Sequence, residues 1–291
     1  MSVAVPAAPW RVAVVSRILP VLLDFEAAVR EAGHEPVAVL SVRDRENRYG
    51  GMGAVGPLVT GAPAGLDVLF PSQRDRIAPL LEAVRPDLVV CMGFPWKIPP
   101  DALAVPPLGW LNGHPSLLPS HRGPIPVAGE IRDGDEETGI SFHRMDAELD
   151  TGPVLAQARF PIGEYAPPDD FYGSLGAVVF RTLTQALARL AAGEEGETQA
   201  GGDYESFFSA ADARLDLSRP AAELHRLVWA WRYATLAPGD DGVAGALLDL
   251  DGGTVRVLAS ALVESEGARR IECGDGPLWL LETEPVSEPA P

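Results

Sequence analysis

The chain opens on a short apolar run, Arg11 to Ser16 (RVAVVS), in which β-branched residues follow one another without polar alternation. A strand buried on both faces reads this way, and parallel sheets supply such strands. From Pro20 to Glu35 (PVLLDFEAAVREAGHE) the apolar positions fall at helical spacing instead, and Gly33 suits a helix stop. Pro36 to Val42 (PVAVLSV) is the second strand. The alternation predicts a doubly wound α/β sheet.

Residues 43–66 hold too much glycine and proline for a regular element and predict a long loop. Arg76 to Gly93 supplies another helix and apolar strand, and "LGWLN" (Leu108 to Asn112) a further strand. Strands are expected at about 139–145 and 153–160, either side of the turn-rich "DAELDTG". Asp169 to Gly193 has helical periodicity, with Gly193 as its stop. The polar, glycine-rich 193–203 segment reads as a linker. Beyond it, Ser218 to Arg232 predicts a helix with Ser218 near its N-cap and Leu224, Leu227, Val228 and Trp231 on one face. The remainder alternates short strands with "DGG" and "GDG" turns, the pattern of a small β-barrel or sandwich. The domains expected are therefore 1–203 and 204–291.

Charge narrows the function classes. The 291 residues carry a formal net charge of −18, which disfavours a nucleic-acid or anionic membrane partner at long range. Lys97 is the one lysine. Cys91 and Cys273 have neither metal-ligand spacing nor a disulfide framework, so buried thiols and no bound metal are expected. The first residues lack the basic start and apolar core of a signal peptide, and no apolar run is long enough for a membrane span. A cytoplasmic protein is expected. Its oligomeric state leaves no mark in the sequence.

Candidate chemistry sits in "LNGHPSLLPSHRG", Leu111 to Gly123. Asn112 and His114 follow a predicted strand, alternate residues share a face, and ligands of open α/β sheets bind beyond the strands' carboxyl ends. A carboxamide can donate to a developing oxyanion, and an imidazole can move a proton near neutral pH. Asp150, in a second strand-end loop, can orient that imidazole and raise its basicity. Together they fit acyl transfer, with direct attack by a substrate nucleophile, since no serine or cysteine lies in a nucleophile motif. A polar turn with structural hydrogen bonds is the other reading of the same residue types.

The longer pattern separates the two. Asn112-Gly113-His114-Pro115-Ser116-Leu117-Leu118-Pro119, then Gly123, Gly139 and Leu149-Asp150-Thr151-Gly152-Pro153-Val154-Leu155, closely resembles the folate-dependent formyltransferases. "PDLVVCMGFPWKIPPDAL" resembles that family's pterin-holding strand and loop, and "CGDGPLWLLETEP" the last strands of the tRNA enzyme's second domain. The resemblance implies a Rossmann-like catalytic domain followed by a small OB-like barrel. It also implies formyl transfer from 10-formyltetrahydrofolate, with Asn112, His114 and Asp150 as the catalytic trio. Asn112 would donate to the oxyanion, and His114 would carry the amine proton or stabilise the oxyanion as imidazolium. Asp150 would hold that imidazole and raise its pKa. Met92, Gly93, Phe94, Pro95, Trp96 and Ile98, with Asp146, Ala147, Glu148 and Leu149, would grip the pterin. Arg122 and Ser116 are the expected acceptor contacts, whereas His121 and His143 read as ordinary packed or polar residues. In the family the bond matching Leu118–Pro119 is cis.

The acceptor is read from what departs from the family. Its nucleotide branch opens with a glycine-rich phosphate loop, where this chain has "SRILPVLLDF". From Glu205 to Pro291 there are seven arginines, no lysine and fifteen acidic residues, a net of −8, where a tRNA-binding surface should be positive. Arg43, Arg45 and Arg48 give the 43–66 loop charge at its start alone, and the chain ends at "SEPAP" without a basic tail. The expected acceptor is a small-molecule amine: an amino sugar, a hydroxyornithine or a natural-product precursor. Methionyl-tRNA is the alternative, and a formyl hydrolase or non-catalytic folate binder the second alternative.

Overall fold

A computed structural model of the chain describes residues 9–42, 55–163, 165–234 and 245–286. In order, the first part runs β1 (Arg11–Val15), α1 (Leu19–Glu31), β2 (Glu35–Leu40), α2 (Val55–Gly61), β3 (Asp67–Leu69), α3 (Ile77–Val84), β4 (Leu88–Cys91), α4 (Pro100–Leu103) and β5 (Trp110–His114). It continues through α5 (Pro126–Asp133), β6 (Glu137–Arg144), β7 (Val154–Pro161), α6 (Pro168–Ser174) and α7 (Gly176–Ala191). One seven-stranded sheet takes the order β3-β2-β1-β4-β5-β6-β7. Strands β1 to β5 pair in parallel, and β6 turns antiparallel to β5.

The unbroken apolar run of β1 has a direct cause. Val12 and Val14 face a layer holding Leu22, Phe25 and Val29 of α1 with Leu183 and Leu187 of α7. Ala13 and Val15 face the other layer, with Ile77 and Leu81 of α3 and Trp110 of β5. Both faces of the strand are covered, so neither tolerates a polar residue. Gly33, at φ +79°, follows the end of α1 in the left-handed region, where glycine meets no Cβ penalty.

Three local expectations are corrected. The 43–66 segment is not loop throughout, because α2 forms inside it: Pro57 sits in the first turn, where its missing N–H costs nothing, and Leu58 is buried. Arg43, Arg45 and Arg48 lie outside the described residues. The single helix expected over 169–193 is two, α6 and α7, separated at Leu175. The 193–203 segment is no free linker. Glu197 and Val154 exchange both backbone hydrogen bonds, at 2.9 and 2.8 Å, which docks the segment beside the start of β7.

The later residues form α8 (Ala221–Tyr233), β8 (Ala246–Leu250), β9 (Gly253–Ala261), β10 (Arg269–Cys273) and β11 (Gly276–Pro285). The four strands make a curled antiparallel sheet of order β10-β11-β9-β8, a half-barrel. Register shifts near Glu282 bend β11 against β9. Leu224, Val228 and Trp231 of α8 are buried as its periodicity predicts, while Leu227 is half-buried. Ser218 does not cap that helix, because its hydroxyl bonds Asp216 at 2.7 Å and Pro220 takes the N-cap position. The Asp275 carboxylate accepts the Ala221 N–H instead, at 2.7 Å.

By density of contacts, the chain groups into two compact units. One comprises residues 1–122, 139–160 and 169–203; the other comprises 123–138, 161–168 and 204–291. The second therefore includes α5, which packs on α8. No described helix is long and apolar enough to cross a membrane.

Candidate active site

Asn112 and His114 lie two apart at the carboxyl end of β5 and so share one face of the strand. Register brings β4 and β6 to the same place: Cys91 pairs with Asn112 on one side, and His143 pairs with Asn112 on the other. Asp150 arrives on the turn between β6 and β7. Its Oδ1 accepts a hydrogen bond from Asn112 Nδ2 at 3.3 Å, and its Oδ2 lies 3.7 Å from His114 Nδ1. The three residues expected to act together do converge.

The hydrogen bonds define the tautomers. His114 Nε2–H donates to the His121 carbonyl at 2.9 Å, so in the neutral ring Nδ1 is the open nitrogen, turned toward Asp150. His143 Nδ1–H donates to the Arg144 carbonyl at 2.8 Å, leaving Nε2 to accept the second Asn112 hydrogen at 3.2 Å. His143 Nε2 also lies 3.4 Å from Asp150 Oδ1. Both histidines read as ordinary residues in the sequence thus belong to this cluster, His143 by side chain and His121 by carbonyl. The antiparallel register of β5 and β6 puts His143 there, and one sequence carries no signal of it.

Burial sets the proton affinity of His114. Desolvation pushes its pKa below the ordinary histidine value, outweighing the upward pull of Asp150 and of the His121 carbonyl; His143 and the His121 ring add to the lowering. Asp150 acts in the expected direction, but the net shift is downward. Next to it, burial drives the Cys91 thiol up to about 12, so it is no nucleophile at neutral pH. Cys273, also free, is half-buried rather than buried.

The Asp150 turn is tightly made. Asp146 Oδ1 accepts from the Glu148 N–H at 2.9 Å and from the Thr151 hydroxyl at 2.8 Å. Asp150 itself stands at φ +58°, and a Cβ on Gly152 would collide with the Arg144 carbonyl oxygen. Ala147 and Glu148 are exposed, and Leu149 points outward, 40% exposed.

Beyond β4, Met92 and Ile98 are buried, whereas Gly93 and Pro95 are exposed. Phe94 and Trp96 meet edge to face at 5.7 Å and pack with Met145 on the core below. Their half-buried rings, nearly perpendicular to each other, give an apolar surface beside the exposed Gly93 and Pro95.

The two expected acceptor contacts are placed differently. Ser116 is fully buried and donates its hydroxyl to the Ser120 carbonyl at 2.8 Å, so it braces the turn instead of facing a cleft. Arg122 spends Nε and one Nη on the carbonyls of Asp203 and Gly202, at 3.3 and 3.1 Å. The Leu118–Pro119 bond between them is cis, as expected.

A mostly parallel sheet with polar and titratable side chains gathered at the carboxyl ends of its central strands defines an α/β enzyme. Residues 69–185 match the family model described as formyl transferase. A methionyl-tRNA formyltransferase of Roseiflexus sp. (strain RS-1) is 32% identical over 285 residues, 91% of this chain and 84% of that one. Another, from Pseudomonas paraeruginosa (strain PA7), is 37% identical over 226 residues, 74% and 72% of the two chains. Among solved structures, HypX from Aquifex aeolicus in complex with tetrahydrofolic acid aligns with a TM-score of 0.66 at 18% identity, over 96% of this chain and 45% of that one. A sugar N-formyltransferase from Shewanella sp. FDAARGOS_354 aligns at 0.64 and 21%, over 88% of this chain and 100% of the other. The chain belongs to the folate-dependent formyltransferase family. It is a formyl-transferring enzyme.

Proposed function

We propose that the enzyme moves a formyl group from 10-formyltetrahydrofolate to the amine of a small-molecule acceptor, such as an amino sugar, a hydroxyornithine or another natural-product precursor. Residues 1–203 then act as the catalytic domain and 204–291 as an accessory domain. The folate supplies an activated formyl carbon. The aromatic wall of Phe94 and Trp96, with the backbone of Met92, Gly93, Pro95 and Ile98 and the turn Asp146-Ala147-Glu148-Leu149, holds its pterin.

Asn112 then turns one Nδ2 hydrogen from its neighbours to the formyl oxygen, which gains charge as the amine nitrogen bonds to carbon. The proton shed by that nitrogen goes to His114 Nδ1, the open ring nitrogen, and Asp150 Oδ2 stabilises the imidazolium formed. His114 then returns the proton to folate N10 as the bond between the formyl carbon and N10 breaks, releasing tetrahydrofolate and the formylated amine. A depressed pKa keeps His114 neutral at pH 7, ready to accept that proton.

One observation carries the choice of acceptor. Every arginine from 204 onward is held within the chain. Arg214, Arg219, Arg256, Arg269 and Arg270 pair with Asp249, Glu223, Glu284, Asp251 and Glu272. Arg226 and Arg232 donate to the carbonyls of Arg132 and Leu258. A tRNA backbone needs a run of cations free to displace counterions, whereas five of these seven are paired with carboxylates and the other two are tied to backbone carbonyls.

The second reading, methionyl-tRNA as acceptor, is favoured by the relatives that carry that name across most of this chain. A coupled assay of folate deformylation against a panel of small amines and charged initiator tRNA separates the two. Efficient transfer to the tRNA at low salt, abolished at moderate salt, would replace the small-molecule reading. Formate release with no acceptor would indicate the hydrolase.

A further inference from the structure

We propose that Gln199, on the segment that follows α7, is a positioning residue that sets the place of the Asp150 carboxylate; the inference rests on the catalytic reading of Asp150 above. Gln199 Nε2 gives one hydrogen to the Asp150 carbonyl at 2.9 Å and the other to the Gly152 carbonyl at 2.7 Å. Both partners are acceptors, so the amide has one possible orientation. Its Oε1 is buried and finds no hydrogen-bond partner among the described residues. A buried, unpaired carbonyl is costly, so the side chain is drawn in by its donor end alone.

The backbone it grips needs gripping. Asp150 holds a left-handed φ of +58° without being glycine. On the near side, Asp146 closes the turn through Glu148 and Thr151, but both bonds end before Gly152. Gln199 clamps the two carbonyls that flank Thr151, which holds the peptide plane that follows the Asp150 Cα and the turn beyond it.

The segment bearing Gln199 is itself anchored. Arg144, the residue after His143 on β6, donates Nε to the Glu195 carbonyl at 3.2 Å and Nη2 to the Glu194 carbonyl at 3.4 Å. Glu197 exchanges backbone bonds with Val154. Residues 194–199 thus run as a strap from the end of α7, beside the start of β7 and tied to β6 by the Arg144 side chain, to the carbonyls of the Asp150 turn. Cutting the Gln199 contact leaves the strap attached and frees the turn. The consequence falls on the Asp150 oxygens at 3.3 Å from Asn112 and 3.7 Å from His114.

The groups facing His114 are Asp150, His143 and His121, and Asp150 is the one among them that pulls its proton affinity upward through charge. Displacing Asp150 should therefore lower the His114 titration midpoint. The test uses the full chain with 15N-labelled histidine and neither folate nor acceptor, the His114 signals being identified by their loss in His114→Asn. Gln199→Met keeps the side chain's size and removes both donors. It is expected to shift the His114 ring nitrogens at pH 7 and lower the midpoint by about half a pH unit or more. Gln199→Leu, which also removes both donors without adding a charge, should do the same and serves if the methionine variant does not fold.

In turnover, by transfer or by formate release, Gln199→Met should lower kcat about tenfold while KM for folate stays within about twofold. It should have no further effect in the Asp150→Asn background, whereas a merely structural role would act equally in both. Unchanged His114 shifts and midpoint, or full additivity with Asp150→Asn, would overturn the proposal. The nuclear resonance readout involves no reaction, so a failed transfer assay with shifted His114 signals would count against the proposed function and not against the strap.

Discussion

Asn112 and Asp150, 38 residues apart, are joined by a hydrogen bond of 3.3 Å in which the carboxamide nitrogen donates to carboxylate Oδ1. The second hydrogen on the same nitrogen goes to His143. Both amide hydrogens are thus engaged before any substrate arrives, and one of these two bonds must give way for Asn112 to meet an oxyanion. Asn112→Ala should lower kcat by about 10²–10³ with a small change in KM for folate, the pattern of a contact made mainly in the transition state. Steady-state kinetics with folate varied checks it, and retention of full turnover would strike Asn112 from the mechanism.

Asp150→Asn removes the charge 3.7 Å from His114 Nδ1 while keeping the side chain's shape. That charge opposes the burial that already depresses the His114 pKa, so its loss should depress it further. We expect a fall in kcat of about 10²-fold, in the range for lost proton-transfer assistance, and a His114 midpoint at lower pH. A midpoint that rises would contradict the assigned geometry.

Gly152→Ala would drive a Cβ into the Arg144 carbonyl oxygen, which backbone alone cannot avoid without moving the turn. A loss of about 2 kcal/mol or more is expected, as for other steric conflicts in packed sites. Urea unfolding gives the loss of stability. Activity per folded molecule should fall too, because Asp150 moves with the turn.

Stability should depend on acid through three histidines. Burial lowers the pKa of His34 and His114, and it lowers that of His225 to about 4. His34 Nδ1 accepts the Trp10 N–H at 3.3 Å, a bond that protonation would break. In the unfolded chain each binds a proton near pH 6.5, above its folded value, so the unfolded state gains protons first as pH falls. Their contribution is complete above about pH 6.5 and is lost on acidification toward the folded pKa values. Thermal melts between pH 8 and pH 5 should show Tm falling over the lower part of that range. His225→Asn should flatten the fall.

Much of this was written in local patterns. The unpolarised run of β1, the helical stripe of α1 and the asparagine and histidine two apart on β5 each follow from interactions within a few residues. So the α/β sheet and two members of the candidate site were legible from the chain alone. Asp150 was legible as well, through the long motif and not through any spacing that chemistry dictates.

The rest depended on pairings between distant segments. Ser218 had the right chemistry to cap α8, yet Asp275 does so from the turn between β10 and β11. Gly-rich 193–203 had a linker's composition, but Arg144 and Val154 supply backbone partners that fasten it down. His143 looked like a packed histidine until strand register set it opposite Asn112. Composition and periodicity report what a residue prefers among its neighbours in sequence. Hydrogen-bond donors and acceptors are satisfied by whichever group tertiary packing brings within about 3 Å, and only the folded chain decides which that is.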